Sequence, residues 1–164
     1  LPVKHTADCL AFSFVEKPMR KINISYLKKF NLKKDPIIGK LQKGQDIVYK
    51  GRKIKAKDAT YIVPGKKITY ITDTLLTPNC IKIAKDADLL ICESTFASDL
   101  KEKAREYFHL TAADAALIAK KAKVGQLILT HFSQRYNNPS IFEKEARKIF
   151  KNTILARDFM TIEL

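Results

Sequence analysis

Three ionisable side chains stand at equivalent places in this sequence. Asp73 follows the apolar run Ile68–Thr72, Glu93 follows Leu89–Cys92, and His131 follows Gln126–Thr130. Each run has the length and composition of a buried β-strand. In layered α/β proteins ligands bind just past the C-terminal ends of the strands, so parallel strands would bring the three groups together. An Asp and a His converging at that edge are ligand types expected of a zinc site. Each residue alone has a plainer explanation: an Asp after a strand makes a turn, and a lone His packs or is solvated. Three at one edge favour a site. The chain has only three histidines, His5, His109 and His131, and each lies beside a boundary of the pattern.

The elements that must position these groups follow from periodicity and punctuation. Ala11–Glu16 alternates as a strand does. Ser25–Phe30 predicts a short helix, and the stretch Asp35–Gly44 opens with Pro36 and stops at a glycine, as a helix would. Gln45–Tyr49 and Lys53–Ala56 flank Lys50-Gly51 as a hairpin. Helices are expected over Pro78–Lys85, over Thr111–Ala122 with Thr111 as N-cap and Asp114 three residues on, and over Ile141–Phe150 behind a Ser140/Glu143 capping box. Gly125 is expected to close the second of these. Thr153–Ala156 and Phe159–Ile162 read as closing strands. Strands alternating with helices imply an α/β layered fold. No linker or repeat is visible, so residues 1–164 read as one domain.

Composition narrows the partner. Apolar residues make up 46% of the chain, which excludes a disordered protein. No apolar run reaches the ~18 residues of a membrane span, and no signal peptide opens the chain; a cytoplasmic protein with no membrane partner is the expectation. Lys and Arg number 31 against 17 Asp and Glu, a net charge of +14. Such a field favours a polyanion, above all nucleic acid. Lysine enrichment by heat adaptation is the competing explanation, but it brings glutamate with it, and acids are scarce here. Cys9, Cys80 and Cys92 form no CxxC pair and sit among apolar neighbours, so they read as reduced, buried thiols and not as zinc ligands.

Several segments resemble a known family. Leu129-Thr130-His131-Phe132-Ser133-Gln134-Arg135-Tyr136 resembles a C-terminal motif of ribonuclease Z, within the metallo-β-lactamase superfamily. Tyr70–Thr74 is similar to its strand ending in a metal-bridging Asp, Cys92–Phe96 to its His-Glu-Ala-Thr-Phe segment, and His109-Leu110-Thr111 to its His-Ser-Thr segment. Lys4-His5-Thr6 resembles the stretch with another zinc-binding His, and Ile38–Gly44 its glycine-flanked substrate-side turn. The resemblance implies an α/β fold, the C-terminal half of a metallo-β-lactamase αβ/βα sandwich. It also implies a two-zinc endoribonuclease that removes the 3′ trailer of precursor tRNA by attack of a zinc-activated hydroxide. His5 would bind one zinc and His131 the other, with Asp73 bridging. His109 would protonate the departing 3′ oxygen, and Glu93 would hold its imidazole and raise its pKa. Arg135 would grip a phosphate, with Thr111, Tyr136 and Lys40 also on the RNA side.

The family's His-x-His-x-Asp-His run does not occur in this sequence. The resemblance therefore implies a chain that binds zinc weakly and is inactive alone. It also implies an open apolar sheet face, covered by the N-terminal half or by a second copy. Two other readings stand beside this one: another phosphodiesterase of the same fold, and a non-catalytic basic RNA-binding module. The dense basic stretch Lys50–Lys57 is either a contact for RNA or an edge protected against aggregation.

Overall fold

The computed structural model describes residues 1–164. Where the sequence shows no linker, internal contacts divide the chain into two compact units, one of Leu1–Val15 with Lys66–Leu164 and one of Glu16–Gly65.

The first unit is built on a five-stranded sheet. Its strands are β3 (Phe12–Val15), β8 (Lys67–Ile71), β9 (Leu89–Glu93), β10 (Gln126–Thr130) and β11 (Thr153–Leu155), in the order β11-β10-β9-β8-β3. The run from β8 to β11 is parallel, and β3 closes one edge antiparallel to β8. Three helices, α4 (Pro78–Ala84), α6 (Ala112–Ala122) and α7 (Ser140–Arg147), form the connections. Alanines 112, 115, 116, 119 and 122 are all buried on α6, a narrow face that lets it sit close to Leu90, Cys92, Leu127 and Leu129 in one core. Thr111 caps α6 in the expected box with Asp114. A short helix, α5 (Lys101–Glu106), and a hairpin of β1 (Pro2–Lys4) with β2 (Asp8–Leu10) complete the unit. On the sheet surface at β3 and β8, Phe12, Phe14 and Tyr70 stay 50%, 66% and 40% exposed. That is the open apolar face expected from the resemblance.

The second unit pairs β4 (Met19–Ile22) with β7 (Thr60–Val63), and β5 (Ile47–Tyr49) with β6 (Arg52–Ile54). The latter is the hairpin read around Lys50-Gly51, whose two turn residues have φ of 48° and 73°; two-residue turns of this hand match the twist of the strands. Helices α1 (Ile24–Lys28), α2 (Ile38–Gln42) and α3 (Ala56–Ala59) enclose a small core of Leu27, Leu32, Leu41, Ile47 and Ile54. The unit holds 14 of the Lys and Arg residues against 4 Asp and Glu, so most of the net charge lies in fewer than a third of the residues.

Three local expectations are corrected. Residues 159–162 form no strand, because nothing pairs with them beyond β11. Ser140 is the first residue of α7 and not its cap: its N–H is met by Asn138 Oδ1 at 2.9 Å, and Glu143 turns to Arg147 at 2.7 Å. Helix α6 ends at Lys123, with φ of 55°, and not at Gly125. Gly125 lies against the start of β9, where a Cβ would meet the Asp88 carbonyl oxygen at 2.6 Å. Gly125→Ala is therefore expected to destabilise by about 1–3 kcal/mol. Gly39→Ala, on α2 with nothing within 4 Å of its Cβ position, should stabilise by about 0.5–1 kcal/mol. Urea unfolding of the two variants measures both signs.

Candidate metal and acid–base site

The strand register sets the site. Ile71 is level with Cys92, and Glu93 with Thr130, so the residues that follow β8, β9 and β10 emerge at one sheet edge. Adjacent strands lie about 4.8 Å apart, which brings Asp73, Glu93 and His131 within side-chain reach. His109 reaches the same edge from the segment between α5 and α6, after Phe108 turns the chain with φ of 59°.

Glu93 is completely buried. Its Oε1 accepts from Thr74 N at 2.9 Å, Leu110 N at 3.0 Å and His109 Nδ1 at 3.1 Å. Its Oε2 accepts from Thr95 N at 3.1 Å and Thr95 Oγ1 at 2.8 Å. Five donors and no acceptor make this the setting of a carboxylate and not of a carboxylic acid. The Glu93–His109 contact expected from the resemblance is present. His109 has a side chain 16% exposed. The Glu93 hydrogen bond raises its pKa above the usual 6.5, partial burial opposes the rise, and the charges of Glu93 and Asp73 add to it.

Thr95 carries the network on to His131. Its single hydroxyl proton goes to Glu93, so Oγ1 accepts from His131 Nδ1 at 2.7 Å. Both His109 and His131 thus hold a proton on Nδ1, which leaves Nε2 as the ring nitrogen outside this network. His131 adopts φ of 57°, a left-handed turn that directs its ring back over the strand ends. Thr95 has no sequence motif of its own that marks it as a site residue. The signal lay in its place two residues after Glu93, which only the hydrogen bonds make meaningful.

Ligand atoms of Asp73, His109 and His131 lie within 4.8 Å of one another. Asp73 Oδ1 is buried without a hydrogen-bond partner, 3.4 Å from His131 Nδ1 in poor alignment. An orphaned buried carboxylate oxygen costs more than the roughly 1–3 kcal/mol of a neutral group, and a divalent cation satisfies it. The donor set fits zinc. His5 sits in the β1–β2 turn, its ring centroid 5.1 Å from that of His109. Its Nδ1 lies 3.1 Å from the Phe108 carbonyl, to which a protonated Nδ1 donates, so Nε2 carries the lone pair. The hairpin is tied to the Asp73 loop through Lys4 N to Thr74 Oγ1 at 3.0 Å and Leu75 N to Lys4 O at 2.8 Å. Burial pushes the Cys92 thiol pKa up, in keeping with a structural role for that cysteine.

The residues expected on the RNA side are placed differently from one another. Arg135 is exposed, with Nε on Ser133 Oγ at 2.9 Å and its guanidinium 5.3 Å over the Phe96 ring, which neighbours His109. Tyr136 spends its hydroxyl on the fold, accepting from Ala97 N at 3.1 Å and donating to Asp99 at 2.9 Å. Thr111 is buried, and its hydroxyl is used in the α6 cap. Lys40 belongs to α2 of the second unit.

Replacing Glu93 by Gln removes the anion and brings an amide donor among donors. The His109 pKa is then expected to fall towards 6.5, read by NMR titration of its ring. The sign for stability follows: a raised pKa stabilises fully below 6.5, and the gain is lost as pH rises through the folded-state value. The stability difference between wild type and Glu93→Gln should therefore shrink as pH rises through that range.

The beta-lactamase superfamily domain model matches residues 49–132. The ribonuclease Z of Protochlamydia amoebophila is 40% identical over 97% of this chain and 52% of its own length. That of Ignicoccus hospitalis is 37% identical over 98% of this chain and 53% of its own. The chain thus spans about half the length of these curated relatives. Among solved structures, the metallo-beta-lactamase fold protein YhfI of Bacillus subtilis aligns with a TM-score of 0.53 at 25% identity, over 68% of this chain and 44% of that one. No helix is long and apolar enough to cross a membrane. Through a family model that takes in β8, β9, β10 and the residues at their ends, the chain belongs to the beta-lactamase superfamily.

Proposed function

We propose that this chain is part of a zinc-dependent endoribonuclease of the ribonuclease Z kind, which removes the 3′ trailer from precursor tRNA. The observation that carries the reading is the convergence of Asp73, His109 and His131 around an orphaned carboxylate oxygen, with the His5 ring packed against that of His109. The relatives' name, ribonuclease Z, supports an RNA substrate.

His5 would hold one zinc and His131 the other, with Asp73 between them. Bound there, zinc supplies a water of lowered pKa and offsets charge on the phosphate. The protein's own residues do the rest. His109, anchored through Nδ1, presents Nε2, and the Glu93 hydrogen bond raises its pKa, which favours a proton there. That proton passes to the 3′ oxygen as its bond to phosphorus breaks and water adds from the opposite side. The upstream RNA leaves with a 3′-hydroxyl and the trailer with a 5′-phosphate. Glu93 holds the resulting imidazole in place for reprotonation. Arg135, exposed and stacked on Phe96, is placed to bind a flanking phosphate.

Precursor tRNA suits the charge. The second unit's 14 basic residues against 4 acidic ones favour a phosphate backbone. The open face around Phe12, Phe14 and Tyr70 would be covered by the complementary half of the superfamily sandwich, or by a second copy of this chain.

The test is cleavage of a precursor tRNA by this chain with and without the N-terminal half of a ribonuclease Z relative, with zinc counted. Cleavage that appears only on mixing, and that falls by about 10²–10⁴ in His109→Ala, is the expected outcome. Hydrolysis of small phosphodiesters without precursor-tRNA cleavage would favour another phosphodiesterase of this fold. Salt-sensitive RNA binding without zinc or cleavage would leave an RNA-binding module.

A further inference from the structure

A groove of about 510 Å³ runs away from His109 between the loop after Asp73 and helices α5 and α6. Its walls are Leu75, Leu76 and Leu117, its rim carries Lys101 and Arg105, and His109 and Asp114 also line it. Its volume falls within the roughly 300–1,000 Å³ of small-ligand sites. Asp73 and His131, the other members of the cluster, do not line it.

That asymmetry gives the groove a direction. In an in-line displacement the entering water and the departing oxygen lie on opposite sides of phosphorus. His109, which would attend the departing side, lines the groove, whereas Asp73 and His131, which would hold metal, do not. We infer that this groove binds the last nucleotide upstream of the scissile bond, the one that keeps its 3′ oxygen. Its base packs on Leu75, Leu76 and Leu117, and its 5′-phosphate meets Lys101 and Arg105.

The chemistry of the walls matches a nucleotide. Leu76 is exposed and Leu117 half-buried, so an apolar ring face has surface to cover. Lys101 is exposed, and Arg105 is held only by an exposed i,i+3 pair with Glu102 at 3.2 Å, a contact worth little in water. Both cations can turn to a phosphate. Asp114 gives Oδ2 to Thr111 and leaves Oδ1 to accept from a base amino group. This assignment rests on the ribonuclease reading for its direction, but RNA binding in the groove is measurable without cleavage.

The experiment titrates the 164-residue chain with a single-stranded hexaribonucleotide ending in a 3′-hydroxyl, following leucine methyl resonances and affinity against salt. The Leu75, Leu76 and Leu117 methyls are expected to shift together. Lys101→Ala with Arg105→Ala should lower the slope of log K against log salt by about 0.7, the share of one phosphate contact on single-stranded RNA. Lys148→Ala with Lys151→Ala removes the same charge at the opposite, N-terminal edge of the sheet and should leave the slope near its starting value. Equal effects from the two pairs, or no methyl shift at saturating RNA, overturn the groove. Precursor-tRNA cleavage separates the two claims. If the mixed halves cleave but the groove fails these tests, only this inference falls; if the groove passes and no cleavage occurs, the ribonuclease reading falls.

Discussion

At the end of β9 lies a carboxylate with no exposed surface, Glu93. A charge taken out of water costs several kcal/mol unless it is paired and hydrogen-bonded, so the fold must bring donors to it. Each donor it recruits belongs to, adjoins or holds a residue of the site. Thr74 N fixes the loop that holds Asp73. Leu110 N fixes the backbone beside His109, whose ring is the fourth side of the cage. Thr95 gives Glu93 its amide and hydroxyl and then steadies the ring of His131. Satisfying one buried anion therefore positions three groups that share no element of secondary structure. The same anion makes His109 a better proton carrier.

The rest of the first unit serves that constraint. Parallel register delivers the ends of β8, β9 and β10 to one edge, and the alanine face of α6 allows its capped N-terminus to come close behind His109. The β1–β2 hairpin, tied to the Asp73 loop, adds His5. One polar atom stays unmet, Asp73 Oδ1. A network that satisfies every member but the one aimed into the site is arranged for something that comes from outside it. Charge is divided as well: 13 of the 17 acids lie in the first unit, while the second unit is overwhelmingly basic.

The sheet, its helices and the place of Asp73, Glu93 and His131 were legible because buried parallel strands are short apolar runs whose ends need no alignment to find. The α6 cap was legible because Thr111 and Asp114 have the spacing that a capping box requires. Other features depend on partners far away in sequence. Met19–Ile22 has no alternation to mark β4 as a strand, and only its pairing with β7 makes it one. Residues 159–162 have an apolar composition but no partner. The two-unit division leaves no trace in composition at Glu16 or Gly65. Thr95 looks like any threonine until the register brings His131 beside it. Thr111 and Tyr136 match the family's motifs, yet their hydroxyls are consumed by the fold.

The central claim is that Glu93, with no contact to an ion of its own, sets the geometry proposed to hold zinc. The direct measurement is zinc affinity of wild type and Glu93→Gln, by competition with a chromophoric chelator, on protein shown by circular dichroism to be folded. A loss of about 10–100-fold with every ligand intact is predicted. Unchanged affinity in a folded variant would contradict the account.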